Sequence, residues 1–306
     1  MTWPGCGAEL APRLGADGSF SLWSEAFGEG FHSGRGALRE ARETFLAPSQ
    51  LERLPPGARL RVVEVCVGTG CNVALLLEAC AARGIALEWW GLELDHRPLA
   101  LALAAPAFRR AWQPATLSAL AALLERGEWQ GERGAARMVW GDARQGLAAL
   151  LGEWRGRIDL VWHDAFSPRR CPQLWTVETL AAATALLAAD GCWISYCSAA
   201  AVREALRLEG LRLVALELAP AEAAARGAWS GGTVASRQPL GPSPLWRELS
   251  AMERDHLASG AGEPYRDPSG RADAATILSR RAAAQAAALA SGRRGPSSAW
   301  RRRWGL

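Results

Sequence analysis

The sequence Arg-Val-Val-Glu-Val-Cys-Val-Gly-Thr-Gly-Cys-Asn occupies residues 61–72 of a chain of 306 residues. Its first seven residues are mostly apolar and β-branched, which predicts a buried parallel strand. Gly68 and Gly70 then predict a tight turn in which the backbone can approach a ligand closely. The helical pattern that starts at Asn72 ends at Gly84, a residue type common at helix C-termini. Together these features favour a nucleotide-type site at the carboxyl end of a parallel sheet. The glycine pair by itself also fits an ordinary tight connection.

Composition limits the classes of protein that the chain can belong to. Its length suits one large α/β domain with appendages or two small domains, and a hydrophobic content of 49% is sufficient for a substantial core. No apolar run approaches the roughly 20 residues that a membrane-spanning helix needs. The first residues also lack the pattern of a signal peptide. We therefore expect a cytoplasmic protein with no membrane association.

Cysteine and histidine usage argues against a metal site. The seven cysteines, at positions 6, 66, 71, 80, 171, 192 and 197, are odd in number and form no Cys-x-x-Cys pair. The four histidines are separated from one another. A disulfide framework or a zinc site is therefore not expected, and most of the cysteines are interpreted as small core residues.

Positive charge is concentrated at the C-terminus. All 35 basic residues are arginine, which, with the high alanine content, fits GC-rich coding. From residue 266 onward, nine arginines and two aspartates give a net charge of +7, so the preceding 265 residues carry −3. A basic tail on a slightly acidic body favours a polyanionic partner, although a solvated terminal surface has the same composition.

Strand and helix patterns alternate along the chain, which predicts a doubly wound, mostly parallel α/β sheet. Further strands are predicted at residues 85–94, 136–140, 157–163, 192–198 and 211–218, with an antiparallel strand at 231–237. Helices are predicted at residues 37–45, 114–126, 177–189, 199–209, 244–256 and 272–290. We divide the chain into an N-terminal extension (1–57), a catalytic domain (58–239) and a helical, Arg-rich C-terminal extension (240–306) that packs on the catalytic domain.

Acidic residues follow three of the predicted strands. Glu93 lies 23 residues beyond Gly70, where a carboxylate can accept hydrogen bonds from both ribose hydroxyls of an adenosine-containing ligand. Asp142 follows the next strand and is placed to accept from an adenine amino group. Asp164 follows the strand after that. Because the carboxyl ends of these strands share one edge of the sheet, we expect all three to face one crevice. Each would also be unremarkable as a polar residue at a strand end.

Two features favour S-adenosylmethionine over a nicotinamide dinucleotide. Val73 occupies the position at which a dinucleotide-binding turn has its third glycine. Glu64, within the first strand, is unusual for a pyrophosphate site but suits the amino-acid part of S-adenosylmethionine. No second glycine fingerprint for a flavin follows in the sequence.

Three motifs resemble one family. Glu64-Val-Cys-Val-Gly-Thr-Gly-Cys-Asn72, Gly141-Asp-Ala143 and Asp164-Ala-Phe-Ser-Pro168, the last continuing to Thr176, are similar to the MnmC-like methyltransferases that complete 5-methylaminomethyl-2-thiouridine at the tRNA wobble position. The resemblance covers roughly residues 20–218, including Phe31-His-Ser-Gly and Glu40. It implies a Rossmann-like S-adenosylmethionine-dependent methyltransferase fold, in a stand-alone form without the FAD oxidase domain, acting on the anticodon stem-loop of tRNA.

The resemblance also implies roles for individual residues. Cofactor-binding residues would be Glu64, Cys66, Gly68, Thr69, Gly70, Asn72, Glu93, Asp142 and Asp164. Cys66 departs from the family, which usually has a glycine there. Substrate-binding residues would be Phe166, Ser167, Pro168, Arg169, Arg170 and Trp175.

Each group of residues in the loop after the fourth strand has an expected task. Asp164 would be catalytic, accepting a hydrogen from the substrate amine and orienting its nitrogen, although capping of the loop is an alternative. Phe166 and Trp175 would stack on a splayed-out base, and Arg169 and Arg170 would meet phosphates. No protein partner is implied.

Two other functions use similar sequence features. A polyamine synthase also attacks a sulfonium with an amine, but it normally has a more glycine-rich turn and a larger acidic pocket, and the arginines beside Asp164 would repel a polycation. A non-catalytic RNA-binding protein on the same fold would also fit Cys66 and the arginine-rich tail. Calorimetric titration with S-adenosylmethionine would separate it from the enzymes.

Overall fold

A computed structural model describes residues 8–218 and 229–306 of the chain. The predicted loose structure of residues 1–20 is only partly within this range, because the first seven residues lie outside it. Within it, residues 10–14 form a strand instead of a loose segment.

The described residues contain twelve strands and eleven α-helices. The strands are β1 (Leu10–Leu14), β2 (Phe20–Ser24), β3 (Glu29–Gly30), β4 (Arg59–Val65), β5 (Ala86–Glu93), β6 (Glu128–Gly131), β7 (Gly134–Trp140), β8 (Ile158–His163), β9 (Leu187–Ser195), β10 (Arg212–Leu216), β11 (Gly232–Ser236) and β12 (Trp246–Glu248). The helices are α1 (Ala37–Glu40), α2 (Cys71–Arg83), α3 (Arg97–Ala104), α4 (Pro106–Arg109), α5 (Pro114–Arg126), α6 (Ala143–Trp154), α7 (Val177–Ala185), α8 (Ala200–Leu208), α9 (Ala251–Ala258), α10 (Ala274–Ala290) and α11 (Ser297–Trp304).

A nine-stranded sheet forms the centre of the fold, in the order β12-β10-β11-β9-β8-β4-β5-β7-β6. The five strands from β9 to β7 are parallel, whereas β6 and β11 pair antiparallel at either side of them. The predicted doubly wound, mostly parallel sheet is therefore confirmed. Because β4 is central and its carboxyl end leads into the glycine turn, the turn lies in the middle of the sheet edge.

Alternate residues of β4 face two separate hydrophobic clusters. Leu60 and Val62 belong to one cluster, with apolar side chains from α2, α3 and α5. Val63 and Val65 belong to the other, with side chains from α6, α7 and α8. Both faces of the sheet are thus covered by helices, as the apolar sequence of β4 predicts.

The N-terminal segment packs over the carboxyl edge of the sheet. β1, β2 and β3 form a small antiparallel sheet of their own. α1 follows, and the chain continues as a wider, π-type helical turn from Ala41 to Leu46. This turn packs against α2. This arrangement brings residues 27–40 next to the turn after β4.

The sequence-based assignment of elements is wrong in several places for identifiable reasons. The helix at 177–189 ends at Ala185, because β9 starts at Leu187 and pairs with β8 across an irregular register. β6 was not predicted and forms a hairpin with β7. Residues 246–248, predicted as helix, form β12, and α9 begins only after Ser250, whose side chain makes a capping box with Glu253.

The C-terminal segment contacts the rest of the fold at several points. β12 pairs with β10 of the central sheet. Arg203 of α8 forms a buried ion pair of 2.8 Å with Glu253 of α9. In α11, Trp300 is buried and donates to the carbonyl of Met252. None of the described helices has the length and apolar character required to cross a membrane.

Candidate active site

A cavity of about 370 Å³ opens at the carboxyl edge of the central sheet. Its walls come from the turn after β4, the ends of β5 and β7, the loop after β8 and the N-terminal segment. Cys66, Gly68, Glu93, Asp142 and Asp164 all line it, so the acidic residues expected at successive strand ends face one cavity.

The glycine turn has the conformation that its sequence predicts. Gly68 and Gly70 have φ angles of +57° and +79°, in the left-handed region that favours glycine. A Cβ atom on Gly70 would lie 2.8 Å from Leu99, and one on Gly68 would lie 3.1 Å from Phe31. A side chain at either position would therefore strain the backbone; at Gly68 it would press on Phe31 in the cavity wall, and at Gly70 on the core.

Cys66 also lies in the left-handed region, with φ of +69°. This geometry gives a physical reason for glycine at the position and shows that cysteine adopts it at a conformational cost. Burial raises the pKa of its thiol well above the usual value, so the side chain is neutral where it lines the cavity.

Glu93 at the end of β5 joins the glycine turn to the next loop. Its Oε2 accepts from the Gly68 amide at 2.9 Å, and its Oε1 accepts from the amides of Leu94 and Asp95 at 2.7 and 3.0 Å. A carboxylate offers about four acceptor positions, so one remains for a ligand rather than the two required by both ribose hydroxyls. Burial raises the pKa of Glu93 despite these amide donors.

Glu64 is fully buried under the turn. Its Oε2 accepts from the indole nitrogen of Trp89 at 3.0 Å, and its Oε1 has no partner among the described residues. Burial, then the nearby charge of Asp164, raises the pKa of Glu64 well above its ordinary value. Thr69 is buried as well, and its hydroxyl likewise lacks a partner in the described part of the chain.

Asp142 lines the cavity but is held by a neighbouring arginine. It caps α6 through the amide of Arg144, and both of its carboxylate oxygens accept from the Arg144 side chain. Arg144 also pairs with buried Asp267 at 2.9 Å. These bonds use most of the acceptor capacity of Asp142, which leaves little for the adenine contact predicted from the sequence.

Asp164 lies at the opposite wall from Glu93, in a strongly acidic setting. Asn72 of α2 donates from its side-chain amide to Asp164 Oδ2 at 2.9 Å. No hydrogen bond to Oδ1 is found within residues 8–218 and 229–306. Burial and then the charge of Glu40 raise the pKa of Asp164 well above its ordinary value. The second oxygen is therefore available to a donor in the cavity.

The N-terminal segment supplies cavity residues that were not assigned from the sequence. Glu40 lines the cavity and accepts from the Ser33 amide at 3.1 Å. Phe27 stacks on Phe166 with ring centroids 4.4 Å apart, and Phe31 meets Phe166 edge-on at 5.0 Å. The family resemblance around Phe31 and Glu40 was the only sequence feature that pointed to these residues. Their distance along the chain from the glycine turn gives no indication that they line the cavity.

The residues of the loop after β8 have different positions. Phe166 lines the cavity, whereas Arg169 and Arg170 are exposed. Ser167 donates its amide to Glu29, and Pro168 is buried. These last two residues fix the loop to the rest of the molecule.

Trp175 departs from the expectation that it stacks on a base. Its ring is fully buried, and its indole nitrogen donates to the carbonyl of Phe166 at 2.7 Å. A ring without an exposed face has nothing to offer a base, so Trp175 instead supports the loop that presents Phe166.

The cavity fits S-adenosylmethionine on three observations. Gly68 lines the cavity without a side chain, and Glu93 retains one acceptor position beside it, whereas Gly70 faces the side chains of Leu99 and Leu120. The partnerless Oε1 of Glu64 lies buried in the strand directly before that turn. No group of three or more His, Cys, Asp or Glu side chains that could hold a metal ion occurs in the described residues.

Comparisons with known proteins agree with this chemistry. Residues 107–220 match the sequence model of a family described as S-adenosyl-L-methionine-dependent methyltransferase. The tRNA 5-methylaminomethyl-2-thiouridine biosynthesis bifunctional protein MnmC from Azoarcus sp. is 32% identical over 253 residues, and that from Chromobacterium violaceum is 29% identical over 250 residues. These matches cover 78% and 75% of this chain and 37% of each relative, so the chain spans little more than a third of their length.

One solved structure is similar to this chain over most of the length of both. The crystal structure of MNMC2 from Aquifex aeolicus superposes with a TM-score of 0.73 and 27% sequence identity, covering 90% of this chain and 84% of that one. The family model favours methyl transfer over the aminopropyl transfer of a polyamine synthase. Residues 107–220 therefore carry the sequence pattern of S-adenosyl-L-methionine-dependent methyltransferases, and the chain is similar to the MnmC proteins over about three quarters of its length and to MNMC2 in fold.

Proposed function

We propose that the protein N-methylates the 5-aminomethyl group of uridine or 2-thiouridine at the wobble position of tRNA. The observation that supports this best is the arrangement of Asp164, which presents one carboxylate oxygen to the cavity while Asn72 holds the other. Such an oxygen suits an amine as the group that receives the methyl, because the N–H of the amine can donate a hydrogen bond to the oxygen. The names of the MnmC relatives identify the corresponding tRNA nucleoside.

The acidic surroundings suit an acceptor that arrives as a cation. Asp164 and Glu40 both line the cavity, and Glu64 is buried close by. An alkyl amine with a pKa of about 10 is mostly protonated at neutral pH. A bound ammonium favours the ionised form of Asp164, and the raised pKa of that carboxyl makes it a stronger acceptor for the proton that blocks the nitrogen lone pair.

Two tasks follow for Asp164 in the reaction. Its Oδ1 accepts an N–H of the amine and so directs the nitrogen lone pair toward the reacting carbon. It also receives the proton that the nitrogen must lose, before passing it to water. Asn72 keeps the carboxylate in one orientation throughout. The arrangement resembles general-base catalysis in which positioning contributes as much as proton transfer.

Cofactor contacts come from the turn after β4 and the end of β5. Glu93 would accept from a ribose hydroxyl, and the backbone at Cys66 and Gly68 would meet the amino-acid part. Glu64 and Thr69 are buried beneath the turn, outside the cavity lining, and would support it from below. When bound, S-adenosylmethionine supplies a methyl group on a positively charged sulfur, so the donor needs no further activation by the protein.

The RNA would be held from the outer side of the loop after β8. Phe166 has one ring face against Phe27 and lines the cavity with the rest of its surface, which suits contact with a base turned out of the anticodon stem-loop. Arg169 and Arg170 are exposed beside it and would meet phosphates. Because the proposed substrate is tRNA, we also place the protein in the cytoplasm.

The experiment uses tRNA that carries the unmethylated aminomethyl nucleoside, prepared from a strain that lacks this methylation. The purified protein is incubated with this tRNA and labelled S-adenosylmethionine, and the nucleosides are analysed by mass spectrometry. We expect one methyl group to be added to the aminomethyl nucleoside. Label found only on another nucleoside would refute the substrate, and RNA binding without any transfer would favour the non-catalytic alternative. Decarboxylated S-adenosylmethionine with a polyamine serves as the control for aminopropyl transfer.

A further inference from the structure

A second concave surface lies away from the cavity and is lined by arginine. We call it the arginine groove and define it by Arg207, Arg254, Arg266, Arg293 and Arg294. It has a volume of about 630 Å³ and lies between the end of α8, α9 and the segments around residues 263–266 and 293–294. Glu204 and Glu263 are the only acidic residues among the described residues that line it. Five positive charges therefore face two negative ones.

The floor of the arginine groove is fixed by buried ionic contacts. Arg294 is largely buried, donates from Nε to Glu263 at 2.8 Å and pairs with Glu204 at 3.2 Å. It also donates to the carbonyl of Leu257. Arg294 offsets only part of the charge of these two carboxylates, and Arg207 and Arg293 share the remainder. The five arginines and two glutamates of the lining leave the groove with a net charge of +3.

The arginines at the rim are exposed, although two of them have carboxylate partners at short distance. Arg207 is 58% exposed while pairing with Glu204 at 2.8 Å, and Arg266 is 54% exposed while pairing with Glu178 at 2.8 Å. Arg293 is 61% exposed, and its nearest carboxylate, Glu263, is 3.8 Å away. Arg254 is exposed and donates to the carbonyl of Leu249, with no carboxylate partner in the described part of the chain. Exposed ion pairs contribute little to stability, so these guanidinium groups can turn toward a ligand at small cost.

A continuous path of residues connects the arginine groove to the active-site loop. Tyr265 forms a bridge with Thr176, at the end of the loop that begins at Asp164. Arg281 lies over the Tyr265 ring at 4.4 Å and donates to the carbonyl of Glu263 in the groove. Burial lowers the pKa of Arg281, and the charge of Arg169 lowers it further, so Arg169 is close to this path.

We propose that the arginine groove binds the phosphodiester backbone of the RNA whose base enters the active site. Arginine suits this task because its planar guanidinium matches phosphate geometry and remains charged. Five arginines spread over one groove fit a ligand with repeated negative charges better than a single small anion. The proposal rests on the proposed function for the identity of the RNA, and it names a surface distant from the reacting atoms.

The experiment compares two matched triple variants. In the groove variant, Arg207, Arg254 and Arg293 are each changed to Gln. In the control variant, Arg83, Arg126 and Arg155 are each changed to Gln; these exposed residues lie at or just after the C-terminal ends of α2, α5 and α6 and line neither the cavity nor the arginine groove. Both variants lose three positive charges. Thermal melting confirms that each is folded, and calorimetry with S-adenosylmethionine checks the cofactor site, which neither set of changes touches.

The first readout is the affinity for a labelled tRNA measured over a series of salt concentrations, which needs no turnover. If each arginine meets a phosphate, the slope of log affinity against log salt becomes shallower by about 0.7–0.9 for each phosphate that is no longer neutralised, or about 2–3 in all. The control variant should keep the slope of the unmodified protein. If the two variants have equal slopes of log affinity against log salt, the proposal is wrong, whether or not those slopes differ from that of the unmodified protein.

The second readout separates this proposal from the proposed function. If the protein methylates tRNA, the groove variant should show a raised KM for tRNA with kcat retained, since the reacting groups are untouched. If no tRNA is methylated but the groove variant alone loses salt-dependent RNA binding, the proposed reaction fails and the groove proposal stands. If tRNA is methylated with the same KM by both variants, the groove proposal fails and the reaction stands.

Discussion

Asn72, the second residue of α2, donates a 2.9 Å hydrogen bond to one carboxylate oxygen of Asp164, 92 residues later in the chain. The bond joins the glycine turn, which serves the cofactor, to the loop after β8, which faces the acceptor. A single amide therefore fixes the orientation of the carboxylate relative to the turn. Since Oδ2 already accepts from Asn72 and Oδ1 has no partner in the described part of the chain, Oδ1 has the larger acceptor capacity for a donor from the substrate.

The first prediction concerns Asp164→Asn. The amide keeps the size of the side chain but cannot take a proton from the amine, so methylation should fall by roughly 10²–10⁴-fold. Affinity for S-adenosylmethionine, measured by calorimetry, should change little because Glu93 and the glycine turn are intact. Full activity with an unchanged KM for tRNA would show that Asp164 has no part in the reaction.

The second prediction concerns the pH dependence of stability through Glu64. Burial raises the pKa of Glu64 in the folded protein, so the folded state binds this proton more tightly than the unfolded state does. The folded state is then penalised as pH rises above the unfolded pKa of about 4.3, and the penalty is complete above the folded pKa. Glu64→Gln removes the penalty and can still accept from Trp89.

The melting temperature of Glu64→Gln should therefore exceed that of the unmodified protein at pH 7–8, and the difference should shrink toward zero as pH falls to about 4. Glu153→Gln, an exposed change near the end of α6, serves as the control and should show no such trend. A difference that does not vary with pH would mean that the proton on Glu64 is not linked to folding.

The third prediction concerns Glu93→Gln. The change removes the charge from the one acceptor position left for a ribose hydroxyl, and a hydrogen bond to a charged group contributes about 1.5–3 kcal/mol. Affinity for S-adenosylmethionine should therefore drop by about 10–150-fold in calorimetry. Asp190→Asn, an exposed charge removal on β9, should leave the affinity unchanged. If both variants bind equally well, the ribose is held elsewhere.

Local sequence was sufficient to predict the parts of the fold that depend on neighbouring residues. The glycine turn, α2 and α5 follow from periodicity and from glycines that need positive φ. The convergence of Glu93, Asp142 and Asp164 follows from the rule that parallel strands end at one edge. These inferences need no knowledge of distant contacts.

The other features of the fold and the site depend on contacts between residues that are far apart in the sequence. Arg144 donates to both carboxylate oxygens of Asp142 because of the conformation of its side chain. No spacing of residues in the sequence predicts that conformation. The burial of Trp175 depends on packing around the loop that it supports. The strand β12 forms because β10 offers an edge, which overrides the helical pattern of the surrounding residues.

The fourth prediction concerns the left-handed residue at the turn. Cys66→Gly relieves a φ of +69°, and the gain of about 1 kcal/mol is offset by a similar loss of chain entropy and of packing. Stability should thus stay within about 0.5 kcal/mol of the unmodified protein. Cys66→Val places a β-branched residue at positive φ and should cost about 2 kcal/mol or more. Cys192→Val, within β9, is the matched control and should cost little. Equal effects of valine at both positions would contradict the strained geometry of Cys66.

The fifth prediction asks how α11 is held. Trp300 is 8% exposed, stacks on His256 with ring centroids 3.9 Å apart and donates to the carbonyl of Met252 at 3.0 Å. Trp300→Ala should therefore lower the free energy of unfolding by about 3–5 kcal/mol, measured by denaturant titration. Arg301 and Arg302 project from the same helix and are exposed, so Gln at either position should change stability by less than about 0.5 kcal/mol.

This comparison separates packing from charge in the C-terminal tail. If the tryptophan change destabilises the protein and the arginine changes do not, α11 is part of the folded core, and removal of residues 293–306 would disturb the cofactor and RNA sites together. Because Arg293 and Arg294 also belong to the arginine groove, such a truncation cannot isolate their charge, whereas single substitutions can. A cost of less than about 0.5 kcal/mol for Trp300→Ala would show that α11 is not docked in solution, and a truncation that begins after Arg294 would then report on the arginines of α11 alone.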